Sequence, residues 1–147
     1  MSVEENKVIA QRAYEAFNQA FRTGNLTLLD AVIDANIVDN NPAPGQEPGL
    51  EGVKKAFSSF AAAFPNPHFT IDDMIAEGDK VASRLTLRGT HRGDFQGIPP
   101  TGMQVVQTGI DILRVAGGKV VERWGEFDNL GLLQQLGVVP PPGQGGA

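Results

Sequence analysis

Cysteine is absent from the chain, and its two histidines, His68 and His91, lie 23 residues apart. Disulfides, thiol catalysis and cysteine-ligated zinc are therefore impossible. No histidine pair can form on one helix, so a histidine-based metal site is hard to complete. Carboxylates, amides, hydroxyls and one imidazole must carry any chemistry. Asp128 follows Trp124 and Glu126 at even spacing and would share their face in a strand. Beside the Trp124 indole in a dry pocket, its carboxylate would be raised toward the range a general base uses. At the start of a last helix it would instead cap free N–H groups. The residues alone leave both readings open.

His91 closes a strand in Gly89-Thr90-His91-Arg92-Gly93. It either protonates or orients a substrate oxygen, or it holds the next loop through a backbone hydrogen bond. His68, between Pro67 and Phe69, is expected at the surface. Arg84 and Asp111 fall in mid-strand, where an unpaired charge is costly, so we expect them to pair across strands. Such a pair lines either a pocket or a dimer interface, and we place it in the pocket. Arg88, Arg114 and Arg123 are expected to be solvated or interfacial. Tyr14, the only tyrosine, lies on an apolar helical stripe and reads as a core aromatic whose hydroxyl finds a partner.

These residues need elements to hold them. Ser2 and Glu5 fit a capping box. Ala10, Tyr14, Phe17 and Phe21 then recur at 4-3-4 spacing up to Gly24, which predicts a first helix. A short second helix is expected over Leu26–Ile33. Three prolines and two glycines forbid a helix over Asp39–Gly49. Val53, Phe57, Phe60 and Phe64 mark a third helix, closed by Pro65 and Pro67. From Phe69 the period becomes two. Strands are expected over Phe69–Glu77, Lys80–His91, Gln104–Val115 and Val120–Phe127, with turns at Glu77-Gly78-Asp79 and Ala116–Lys119. A last short helix spans Asn129–Leu136 and stops at Gly137. Helices first and antiparallel strands after them predict an α+β domain, with helices on one face of a bent sheet around a conical cavity.

The 147 residues, 41% apolar with a net charge of −5, suit one folded domain rather than a disordered chain. We read a single domain over 1–139 and a flexible Pro/Gly tail over 140–147. Twelve basic against seventeen acidic residues exclude the basic face that nucleic acid requires. No apolar run approaches the ~20 residues of a membrane span. The opening MSVEENK is too polar for a signal peptide, so a cytoplasmic location is expected.

The stretch AEGDKVASRLTLRGTHRGDFQGIPPTG (Ala76–Gly102) carries a family resemblance. So does GIDILRVAGGKVVERWGEFDNLGLLQQLG (Gly109–Gly137), with its pattern W-x-x-x-D-x-x-G-L-x-x-Q-L-G. Together they resemble the signatures of the SnoaL-like polyketide cyclases, also called ester cyclases, in the same order and spacing. The likeness spans roughly residues 5–137. It implies the nuclear-transport-factor-2-like fold, a conical α+β barrel with helices packed on a strongly bent, mainly antiparallel sheet. It also implies ring closure of polyketides by intramolecular aldol chemistry without metal or organic cofactor. By the same resemblance Asp128 is the general base, with His91, Trp124, Asn40 and Tyr14 shaping the pocket. A first-helix tyrosine is the oxyanion donor in ketosteroid isomerases of this superfamily. Where relatives often read D-H-N-P, this chain has Asp39-Asn40-Asn41-Pro42. Asn40 exchanges hydrogen bonds but carries no proton at neutral pH.

The expected partner is a small apolar carbonyl ligand. A non-catalytic binder of the same fold and a water-activating hydrolase using Asp111 and Asn40 are the rival readings. Val81, Leu85 and Leu87 on one strand, with Ile110 and Ile112 on a neighbour, make both sheet faces apolar. That pattern predicts a homodimer through the sheet.

Overall fold

In the computed structural model, which describes residues 2–140 and Gly143, helix α1 (Val3–Thr23) begins at the predicted cap. The Glu5 N–H donates to Ser2 Oγ at 3.1 Å, and Gly24 ends the helix in the left-handed region at φ 77°. Its buried stripe is Ile9, Ala10, Ala13, Tyr14, Ala16, Phe17 and Ala20. The alanines let α1 lie close to the sheet. Most of the expected Pro/Gly tail lies outside the described residues.

A 3-10 turn over Leu26–Ala31 replaces the expected second helix, and strand β1 (Ile33–Asp39) follows it. This strand corrects the sequence reading, which ended a helix at Ile33. Its two buried residues, Ile33 and Ile37, are four apart, a spacing that suits a helix as well as a strand. Helix α2 (Gly49–Ala63), strands β2 (His68–Glu77), β3 (Lys80–Thr90), β4 (Gln104–Ala116) and β5 (Lys119–Phe127), and helix α3 (Asn129–Gln135) complete the chain.

The sheet order is β1-β5-β4-β3-β2. Only β1 runs parallel to its neighbour, β5; the other pairs are antiparallel. Two-residue turns join β2 to β3 and β4 to β5. The second, Gly117-Gly118, has φ 59° and 78°, values that glycine reaches without strain. Register shifts at Ile71/Asp73, Arg114/Val115 and Ile33/Val38 add the local twist that curves the sheet. The fold is therefore α+β, with N-terminal helices on one face of a curved five-stranded sheet.

The space under the helices, expected as an open cone, is occupied by phenylalanines. Phe17 and Phe57 stack at 4.2 Å between centroids, and Phe21 and Phe69 close around them. Gly109 on β4 leaves room for the Phe127 ring to lie across it; a Cβ there would collide with that ring. A second apolar cluster holds Phe64, Val105, Leu132 and Leu136. Among the described residues no helix is long and apolar enough to cross a membrane.

Candidate active site

Asp111 sits mid-way along β4, on the face that α1 covers, and is 5% exposed. One carboxylate oxygen, Oδ2, accepts the Tyr14 hydroxyl at 2.9 Å. The other, Oδ1, accepts Arg123 Nε at 3.1 Å and Nη2 at 3.0 Å. Arg123 reaches onward: its Nη1 donates to Asp39 Oδ1 at 2.9 Å and to the Asn41 carbonyl at 3.3 Å. Asp39 Oδ2 in turn accepts Gln46 Nε2 at 3.1 Å. Four side chains from α1, β4, β5 and β1 thus form one chain of charge-assisted hydrogen bonds.

Local structure explains the arrangement. Gly125 lies directly opposite Asp111 in the β4–β5 register. A Cβ on Gly125 would fall inside the contact distance of both Asp111 Oδ1 and Arg123 Nη2. Its bare Cα is the floor over which that ion pair lies. Asp39 is the register partner of Arg123 at the end of β1, so the parallel pairing that the sequence reading missed supplies the second carboxylate. The Gly125 N–H donates to Asn41 Oδ1 at 2.9 Å, which fixes the loop after β1 against β5.

Burial pushes the Asp111 carboxyl above the usual carboxylate range; Arg123 and the Tyr14 hydrogen bond pull it down without cancelling that effect. Tyr14 is held well above the ordinary tyrosine value, first by burial and then by the neighbouring Asp111 charge, so its hydroxyl stays a donor. Burial works against the Arg123 charge, but Asp111 and Asp39 outweigh it and the net direction is upward. The pair responds unequally because Asp111 is the more deeply enclosed partner.

The other predicted residues are elsewhere. Asp128 is exposed and is the N-cap of α3, its Oδ1 accepting the Gly131 N–H at 2.8 Å. Trp124 pairs with Ile112 in register and so lies on the sheet face away from the helices, with Lys80 Nζ 5.2 Å above its ring. The pocket placement conditional on Trp124 is corrected accordingly. Arg84 pairs with Ile110, also on the outer face, and its side chain is 59% exposed near Asp72. The expected Arg84–Asp111 pair does not form, because neighbouring positions on a strand point to opposite faces. Arg123 takes the partner's role instead. Asn40 is exposed and its Nδ2 donates to Glu122 Oε2 and to the Arg123 carbonyl, tying β1 to β5. His91 is fully buried and stacked on Phe64 in the second cluster. Its Nδ1 accepts the Thr101 N–H at 3.2 Å, so it anchors the loop after β3.

Sequence reasoning thus brought Tyr14 and Asp111 forward but missed Arg123, Asp39 and Gly125. One signal was available: Arg123, Gly125 and Phe127 share a parity within β5, and a glycine between an arginine and an aromatic marks a face that must admit something. A groove of about 280 Å³ between α1 and β2 is lined by Tyr14, Glu15, Asn18, His68 and Phe69 among others; of the cluster's side chains Tyr14 alone borders it. Among the described residues no group of three or more His, Asp or Glu side chains is placed to hold a metal ion.

The SnoaL-like polyketide cyclase family matches residues 11–136. The chain belongs to that family. Nogalonic acid methyl ester cyclase of Streptomyces nogalater is 31% identical over 86% of this SnoaL-like chain and 96% of its own length. Aklanonic acid methyl ester cyclase DauD of Streptomyces sp. (strain C5) is 26% identical over 93% of this chain and 84% of its own. Among solved structures, IdmH of Streptomyces antibioticus is similar with a TM-score of 0.78 at 35% identity, over 90% of this chain and 99% of its own. The family span includes Tyr14, Asp39, Asp111 and Arg123.

Proposed function

We propose that this SnoaL-like protein closes a ring on a polyketide acid methyl ester by intramolecular aldol addition, with Asp111 as general base. The carrying observation is the Asp111 carboxylate, 5% exposed and bonded to Tyr14 and Arg123. Burial keeps its proton affinity above that of a surface aspartate, in the direction a base needs at neutral pH. Asp111 takes a proton from a carbon beside a carbonyl. The enolate carbon attacks a second carbonyl of the same molecule, one C–C bond forms, and the resulting alkoxide takes a proton back. No atom is lost and no electron acceptor is required. Tyr14, kept protonated, donates to whichever oxygen carries negative charge in the step. Phe17, Phe57, Phe69 and Phe127 fill the space beside this carboxylate, so a fused-ring skeleton enters only as these rings move apart, and it then lies against their apolar faces.

The family resemblance gives the base role to Asp128. An exposed helix cap is less suited to it than a buried carboxylate with a hydroxyl donor, which favours Asp111. The test is incubation with nogalonic acid methyl ester followed by mass spectrometry and absorbance. The expected product has unchanged mass and a changed chromophore. Loss of a CH2 unit, the ester cleaved to its acid with release of methanol, would mark a hydrolase. Recovery of intact ester, bound or free, from this and related polyketide methyl esters would leave a binding protein; either result would overturn the reading.

A further inference from the structure

We propose that Asp39 is a positioning residue that occupies one arm of the Arg123 guanidinium and so keeps the Asp111 carboxylate available to take a proton. This inference rests on the reading of Asp111 as the base. The geometry behind it is a divided cation. Arg123 turns Nε and Nη2 to Asp111 and Nη1 to Asp39, with Asp39 Oδ1 at 2.9 Å. Both carboxylates are enclosed, the Asp111 side chain 7% and the Asp39 side chain 12% exposed. The cluster holds two negative charges and one positive. A single arginine beside a single buried aspartate would hold that aspartate ionised and make it a poor base. A second carboxylate on the far arm removes part of that hold.

The groups facing Asp111 are few. Tyr14 comes from α1, Arg123 from β5 and Asp39 from β1; Ser83 on β3 is its register partner and carries no charge. Burial is the main reason the Asp111 carboxyl is raised, and the negative charge of Asp39 adds a smaller push in the same upward direction. Gln46 Nε2 holds the remaining Asp39 oxygen, and the Asn41 carbonyl shares Nη1, so the arm is fixed rather than mobile. The arrangement needs β1 at its observed register, because Asp39 is its last residue.

The experiment is a carboxyl 13C NMR titration of Asp111, its signal assigned by its loss in Asp111→Asn. It is run on the parent, Asp39→Asn and Asp39→Glu, each checked for native near-UV circular dichroism. It needs no substrate, so its outcome is independent of whether Asp111 proves to be the base. Asp39→Asn should lower the Asp111 midpoint by a few tenths of a pH unit, about a twofold loss of proton affinity. Asp39→Glu should restore the parent midpoint. Where Asp39→Asn does not fold, Asp39→Ser removes the same charge with less volume and should give the same downward shift. An unchanged or raised midpoint on removal of the charge would overturn the proposal. So would a Glu variant that titrates like the Asn variant.

Discussion

Replacing Arg123 by methionine removes the cation that serves two enclosed carboxylates while keeping most of the aliphatic stem. The Arg123 side chain is 23% exposed, Asp39 12% and Asp111 7%, so water cannot fully replace it. Removing one partner of a buried pair typically costs about 3–5 kcal/mol. In a domain of this length that corresponds to a fall in Tm of roughly 10 °C. The loss should also depend on pH. Burial already holds Asp111 above the usual carboxylate range. Its contribution is fully present below its unfolded-state value and is lost as pH rises through the folded value. Without Arg123 the folded value climbs further and the loss deepens toward pH 8. On acidification the deficit should shrink by up to ~1.4 kcal/mol per pH unit while Asp111 takes its proton. Urea denaturation at pH 5 and pH 8 measures both effects. The double variant with Asp111→Asn should recover part of the loss, because an amide needs no cation. A deficit under about 1 kcal/mol, equal at both pH values, would refute the claim that these carboxylates are desolvated.

Further outcomes follow from the same geometry. Asp128→Ala should lower stability by about 1 kcal/mol through the lost cap on Gly131, whereas Asp128→Asn should keep it, since Asn caps as well as Asp; equal melting temperatures in parent, Asn and Ala variants would remove that role. The row Ile75, Ala82, Ile112 and Trp124 crosses four strands on the uncovered face, with Ile75 68% and Ile110 53% exposed, so we expect a homodimer through it. Light scattering at micromolar concentration should give twice the 15.6 kDa chain mass, and a monomer that persists at that concentration would count against it. Chelator treatment should leave melting temperature and turnover unchanged; metal-dependent turnover would contradict an Asp-based mechanism.

Much of the fold was legible because local signals agreed. The Ser2 cap, the 4-3-4 stripe of α1, the two-glycine turn at 117–118 and the period-two strands all point the same way. What could not be read was which parity of each strand faces the helices. Trp124, Ile110 and Ile112 make the outer face apolar as well, so hydrophobicity did not choose between faces. Trp124 therefore reads as a pocket wall, and Arg123, one position earlier, as solvated or interfacial. Strand β1 was hidden because its buried isoleucines are four apart and its pairing with β5 is non-local. With β1 unseen, Asp39 had no reason to meet Arg123. Tyr14 and Asp111 were found because each is conspicuous alone, one the only tyrosine and the other a charge in mid-strand.

In the proposed ring closure Asp111, not the exposed Asp128, abstracts the proton. The most direct measurement is the rate of ring closure of nogalonic acid methyl ester by Asp111→Asn and Asp128→Asn, each folded and saturated with substrate. Loss of a general base typically costs 10²–10⁴-fold, so Asp111→Asn should fall by about that factor while Asp128→Asn stays within about threefold of the parent. The reverse pattern, an active Asp111→Asn beside an inactive Asp128→Asn, would contradict the account and return the base to the helix cap.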